Sequence, residues 1–180
     1  LLYAEIFDNK PPLLYWLYAI LNSDQFTIRL ASLIFGVLSI VIFFLLSKKL
    51  FEHTKSKVHF LTTFVFAVLF GLPTLEGNIA NAENFMLLPI LISALFIVNQ
   101  KKYFLAGLLL GIAFLFKIVA IFDFAAFFIF YFIMNFNSLK KKIKLPPILA
   151  GFSLPILAVS LFFLLNNTFI DFVKAAFLTN

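Results

Sequence analysis

Residues able to do chemistry are scarce in this chain, so their positions are informative. A stretch near its start, Asp8-Asn9-Lys10-Pro11-Pro12-Leu13-Leu14-Tyr15-Trp16-Leu17, sets an acid, an amide and a lysine ahead of two prolines. Proline is tolerated in the first turn of a helix, where its missing N–H costs nothing, so Pro11-Pro12 predicts a helix start with Asp8 or Asn9 at the N-cap. Lys10 then lies at a helix N-terminus, beside backbone N–H groups that point the same way, an arrangement suited to a phosphate-like anion. The alternative is an anchor, with Lys10 snorkelling beside Tyr15, Trp16 and Tyr18 in an aromatic belt. Further along, Glu83, Lys117 and Asp123 interrupt or border long apolar runs. Ionisable groups at membrane depth face protein or water and are functional candidates by default; for Lys117 and Asp123 the alternative is a mutual ion pair that makes their turn tolerable.

The elements that position these residues follow from composition. Hydrophobic residues make up 63% of the chain and charged residues 12%, and the mean hydropathy is +1.08, the profile of an integral membrane protein. The net charge is +6, but the basic residues cluster between apolar runs, which speaks for membrane orientation and against nucleic acid as a partner. The absence of cysteine excludes disulfides, thiolate nucleophiles and Cys-type zinc sites. His53 and His59 stand in a basic loop region with no carboxylate cluster and read as loop residues, so no metal ligands are assigned. The chain begins with Leu1, lacks a signal-peptide pattern and reads as a fragment.

Residues 11–21 are too few to cross roughly 30 Å of hydrocarbon at about 1.5 Å per residue, and predict an interfacial helix. Phe26 to Ser47, apolar apart from Arg29, predicts the first span, ended by Lys48-Lys49. Val58 to about Leu75 predicts the second, followed by a polar, Asn-rich connection from Glu76 to Glu83. Phe85 to Val98 predicts the third, stopped by Asn99-Gln100-Lys101-Lys102. Residues 103–136 are too long for one span, and parity divides them. Lys101-Lys102 and the cluster Lys140-Lys141-Lys142 with Lys144 are both basic enough to be cytoplasmic, so two antiparallel helices must turn between Phe116 and Phe124. Leu145 to Leu165 predicts the last span, with Pro146-Pro147 in its first turn and Pro155 as a kink.

The expected fold is all-α, a polytopic transmembrane bundle of about six spans plus an interfacial helix. Residues 1–180 form part of one domain: 1–25 an outer loop with the interfacial helix, 26–165 the spans, 166–180 an outer segment. The lysines at 48, 49, 55, 57, 101, 102, 140, 141, 142 and 144 then lie inside. Glu5, Asp8, Asp24, Glu76, Glu83, Asp123 and Asp171 lie outside, leaving only Glu52 in the cytoplasm. Acids contribute little to orientation, so their segregation points to a working face on the outer side. The third to fifth helices are short, which puts Glu83, Lys117 and Asp123 in a recess below the outer surface.

The stretch from Tyr3 through Asp8-Asn9-Lys10-Pro11-Pro12 to Leu17 resembles the first extracytoplasmic loop of GT-C glycosyltransferases of the protein O-mannosyltransferase and lipid A aminoarabinose transferase type. Three further pieces follow in that family's order. Phe26-Thr27-Ile28-Arg29-Leu30 is similar to the start of its second span, Glu76-Gly77-Asn78-Ile79-Ala80-Asn81-Ala82-Glu83-Asn84-Phe85-Met86 to its next outer loop, and Gly107 through Gly111 to Lys117 to its short lysine-ended helix.

The resemblance implies a multi-pass cell-membrane enzyme, a hexosyl- or pentosyltransferase, that takes a sugar from a polyprenyl-phosphate donor and passes it to a hydroxyl of a protein or lipid acceptor on the extracytoplasmic side. It implies Lys10, Arg29 and Lys117 as cations for the donor phosphate, Asp8 and Glu83 as supporting acids, and Glu5, Asn9 and Asn81 as groups that position acceptor or sugar hydroxyls. The family's principal general base belongs to an acidic pair upstream of Leu1, and parity expects an odd number of spans ahead of that loop. A divalent metal stays open as a cofactor, although Asn9 stands where relatives carry His or Glu, and an amide is a poor ligand for a transition metal. Membrane lipids complete the expected partners. A transporter or lipid-linked sugar flippase is the competing reading, from Lys117, Asp123 and helices broken by Gly and Pro; a structural subunit would leave the polar loops without a purpose.

Overall fold

The computed structural model of the protein describes residues 10–54, 57–72, 80–139 and 146–178, and every regular element among them is helical. In chain order these are α1 (Leu13–Ile20), α2 (Gln25–Leu50), α3 (Val58–Gly71), α4 (Ala82–Val98), α5 (Tyr103–Phe116), α6 (Ala120–Leu139), α7 (Pro147–Leu165) and α8 (Phe169–Val173), with a π-helical segment Lys174–Leu178 after it. Two of them, α2 and α7, are long and apolar enough to cross a membrane; α3, α4, α5 and residues 120–134 of α6 are shorter apolar helices. The sequence explains the boundaries. Asp24 caps α2 by accepting the backbone N–H of Thr27 at 2.8 Å and its hydroxyl at 2.6 Å, while Lys48 and Lys49 occupy the last turn, where cations complement the helix dipole. Pro146 and Pro147 start α7, as their missing N–H groups allow. The apolar run after Tyr103 breaks at 117–119, inside the expected window.

The first helix differs from expectation. It begins at Leu13 with Pro12 at the N-cap, not at Asp8 or Asn9, because the residue before a proline is disfavoured in the α region, so two consecutive prolines delay the helix. Asp8 and Asn9 lie outside the described residues.

Close backbone approach sets the centre of the bundle. α5 and α7 run parallel, and a Cβ built on Gly107 would overlap the Ile148 carbonyl, while one on Gly151 would overlap that of Phe104. Only glycine fits at either place. α4 runs antiparallel to α5, with the buried Ser93 hydroxyl donating to the Ala106 carbonyl at 2.9 Å. α2 runs parallel to α4, the Asn84 amide donating to the Ser32 hydroxyl at 3.2 Å near one end and Leu46 packing with Leu91 and Ala94 towards the other. α3 leans on α2 through stacked Phe43 and Phe66 and buries none of its residues fully. α6 closes the other flank, with Phe124 stacked on Phe152 at 3.8 Å and Tyr103 edge-on to Tyr131. This alternation gives the bundle an acidic end, where α2 and α4 begin, and a lysine-rich end, where they finish.

α1 lies across the acidic end. Leu14 is buried, and Trp16 stacks on Phe163 and meets Phe162 edge-on. Trp16 is thus packed against the last turn of α7, where its large ring area is buried against two phenyl rings. Part of the segment expected to lie outside the spans, 166–180, is α8 and the π-helical turn, whose Phe172, Ala175 and Ala176 are buried in one cluster with Leu115, Val159 and Phe163.

Candidate functional site

The acidic end is not flush. Ser32 is level with Asn84, so α2, starting at Gln25, projects about one and a half turns, roughly 7 Å, beyond the start of α4 at Ala82. On the opposite side Gly111 packs on Phe152 and Pro155, so α5 stops at Phe116 while its parallel neighbour α7 continues to Leu165. The short helices α4 and α5 therefore form the floor of a recess, α2 and α7 its walls, and α1 crosses above it.

Two charged groups meet on that floor. Glu83 is in the first turn of α4 and Lys117 is the C-cap of α5, places where a carboxylate and an ammonium each complement the local helix dipole. Because α4 and α5 are antiparallel neighbours, those ends coincide, and the Lys117 ammonium donates to Glu83 Oε1. The side chains keep 38% and 44% of their surface exposed, so a ligand can reach both. Lys10, just ahead of α1, is close enough for its charge to act on Glu83. Sequence reasoning offered Asp123 as the partner of Lys117; the structure gives Glu83, because the extended backbone at Lys117 (φ −154°, ψ 132°) follows α5 out towards the start of α4.

Further polar side chains complete the floor. The Asn84 amide bond to Ser32 is buried and ties α4 to α2. Tyr18 of α1 donates its hydroxyl to the Ala80 carbonyl and meets the fully buried Phe85 edge-on. Asn81 caps α4, its carboxamide oxygen accepting the Asn84 N–H at 3.3 Å. Arg29 stands exposed on α2, one turn before Ser32, and among the described residues it forms no salt bridge; it is at the rim, not on the floor. Asp123 is half-buried in the first turn of α6, apart from the Glu83–Lys117 pair. Glu5, Asp8 and Asn9 lie outside the described residues.

An apolar groove of about 290 Å³ runs from the floor, lined by Leu13, Phe35, Leu88, Pro89, Ile92, Leu109, Ile112 and Phe116. Phe116, at one end of the groove, directly precedes Lys117 in the chain. Among the described residues no three His, Asp or Glu side chains come together as a metal ion would need.

A sequence model of the dolichyl-phosphate-mannose-protein mannosyltransferase family matches residues 9–164. No curated protein and no solved structure matches the chain at significant similarity. The match spans Lys10, Glu83, Lys117 and all six of the longer helices: the chain belongs to the dolichyl-phosphate-mannose-protein mannosyltransferase family, membrane-integral glycosyltransferases of the GT-C type.

Proposed function

We propose that this protein transfers a sugar from a polyprenyl-phosphate donor to an acceptor hydroxyl at the extracytoplasmic face of the cell membrane, with α2 to α7 as six crossings of one domain. The observation that carries the reading is the placement of the Lys117–Glu83 pair, with Lys10 in range, beside an apolar groove. A lipid-linked phosphate has the same two-part chemistry: a charged head that needs cations and a chain that needs hydrocarbon.

In this reading Glu83 is the resident anion of Lys117. The donor phosphate takes its place on the Lys117 ammonium, joined by Lys10 and, from the rim, Arg29, while the first part of the prenyl chain enters the groove. The bond between the sugar's anomeric carbon and the phosphate oxygen breaks, and the acceptor oxygen forms the new glycosidic bond. The phosphate leaves with its charge held by the lysines, donors fixed before the reaction begins and so free of reorganisation cost. The acceptor's proton goes to a general base in the family's upstream acidic pair, with Asp8 and the released Glu83 as supporting acids. Glu5, Asn9 and Asn81, the last also the cap of α4, position sugar or acceptor hydroxyls.

The test is incubation of the full-length protein, reconstituted in vesicles, with radiolabelled polyprenyl-phosphate sugars and a mixture of protein and lipid acceptors. Label is expected on an acceptor. Label that crosses the bilayer still attached to its carrier would replace this reading with a flippase.

A further inference from the structure

The lysine-rich end holds a second groove, of about 370 Å³, between the final turns of α2 and α4, lined by Leu45, Lys48, Lys49, Glu52, Leu95 and Asn99. Its chemistry is divided. Leu45 and Leu95 form an apolar wall, and Leu45 stays 43% exposed; the rim carries two ammonium groups and one carboxylate. Lys49 donates to Glu52 at 2.6 Å, so that carboxylate answers one lysine, and Lys48 makes no ion pair among the described residues. The Asn99 amide is turned onto the Leu95 carbonyl at 2.8 Å. Lys101 and Lys102 follow directly after α4, adding positive charge to the same end against the partial negative charge of the helix C-termini.

We propose that this groove binds an anionic phospholipid, its phosphate headgroup on Lys48 and one acyl chain along Leu45 and Leu95. The inference goes beyond the transferase reading and needs only that the helices lie in a membrane. Charge complementarity selects an anion, as basic pockets between spanning helices do. The leucine wall selects a lipid, because a free phosphate would leave both leucines against water.

The experiment is native mass spectrometry of the full-length protein released from nanodiscs of phosphatidylcholine with a minor share of phosphatidylglycerol. The wild type is expected to retain phosphatidylglycerol in preference, Lys48→Gln to lower that preference about fivefold, and Lys48→Arg to restore it. Lys57→Gln, at the same end but outside the groove, should leave it unchanged. Equal retention of both lipids by the wild type would overturn the proposal without reference to any variant. An unchanged preference in Lys48→Gln, an equal loss in Lys57→Gln, or displacement of the lipid by excess inorganic phosphate would overturn it as well.

Discussion

The two ends of the bundle hold their charged groups in opposite ways. At the lysine-rich end the ion pair is local, Lys49 to Glu52 one turn away, and only neutral hydroxyls join separate helices among the described residues, Ser47 to Thr63 and Ser93 to Ala106. At the acidic end the contacts join distant parts of the chain: Lys117 to Glu83, Asn84 to Ser32, Tyr18 to Ala80. A local surface pair contributes little and constrains little. A pair between separate elements requires both to be ordered first, so it persists only where the tertiary structure specifies it. Charge at the lysine-rich end is held only by its own helix, whereas the Lys117–Glu83 charge at the acidic end is held between separate helices, as the binding of a particular anion requires.

Removing the held charge should break this comparison most sharply. Lys117→Ala and Lys10→Ala are each expected to lower turnover by about 10² to 10³, the loss found when one preorganised oxyanion donor is removed. Lys10→Arg should recover activity in part, since a guanidinium keeps the charge without the compact geometry of an ammonium. The measurement is turnover per folded molecule in the full-length protein with a polyprenyl-phosphate sugar. Normal turnover in both alanine variants would reduce Lys10 to a surface anchor and Lys117 to a helix stop.

A second prediction concerns the scaffold beneath both ends. Gly107→Ala or Gly151→Ala places a methyl against a backbone carbonyl of the facing helix, and should cost about 1–3 kcal/mol as overpacking, read as a lower unfolding midpoint in detergent. If Gly107→Ala melts like the wild type, α5 and α7 are not in this close contact. The sequence shows how much of the scaffold was legible in advance. Lysine clusters and prolines delimited α2 to α7, and charge parity required the break that the structure has at 117–119. Which helix faces which was not legible, because helices that are apolar all round carry no stripe to read. The partners of Trp16 and Lys117 could not be read for that reason: Phe163 and Glu83 are distant in sequence and follow only from the packing. The recess was legible, since helix length alone implies it; Ser32 and Asn84 were not, since a serine and an asparagine near helix ends are common without any role.

A smaller effect separates cross-element from local bonds directly. Ser32→Ala removes a buried bond between α2 and α4 and should cost about 1 kcal/mol. Ser39→Ala removes a hydroxyl that donates at 2.8 Å to Phe35 in its own helix, and such a bond back to the preceding turn gives a helix little net stability. Denaturant titration of the two variants should therefore rank Ser32→Ala as the more destabilised. The reverse order would mean that the Asn84 bond does not tie the helices together.

The smallest effect is expected at Asp24, which lies at the acidic end but is held only by its own helix. The Thr27 hydroxyl, and then the Thr27 N–H, hold its carboxyl below the ordinary value of 3.8. A carboxyl whose folded value is depressed contributes stability that is fully present above the unfolded value and is lost as pH falls through the folded one. Asp24→Ala should therefore lower the melting temperature slightly at neutral pH, by less than Ser32→Ala does. The difference from wild type should narrow once the pH is below the depressed value. Thermal melts of both proteins at neutral and strongly acidic pH check this. A gap of the same size at both would mean that the ionised carboxylate is not what caps α2, and a gap larger than that of Ser32→Ala would mean that local capping, not cross-element bonding, sets the stability of the acidic end.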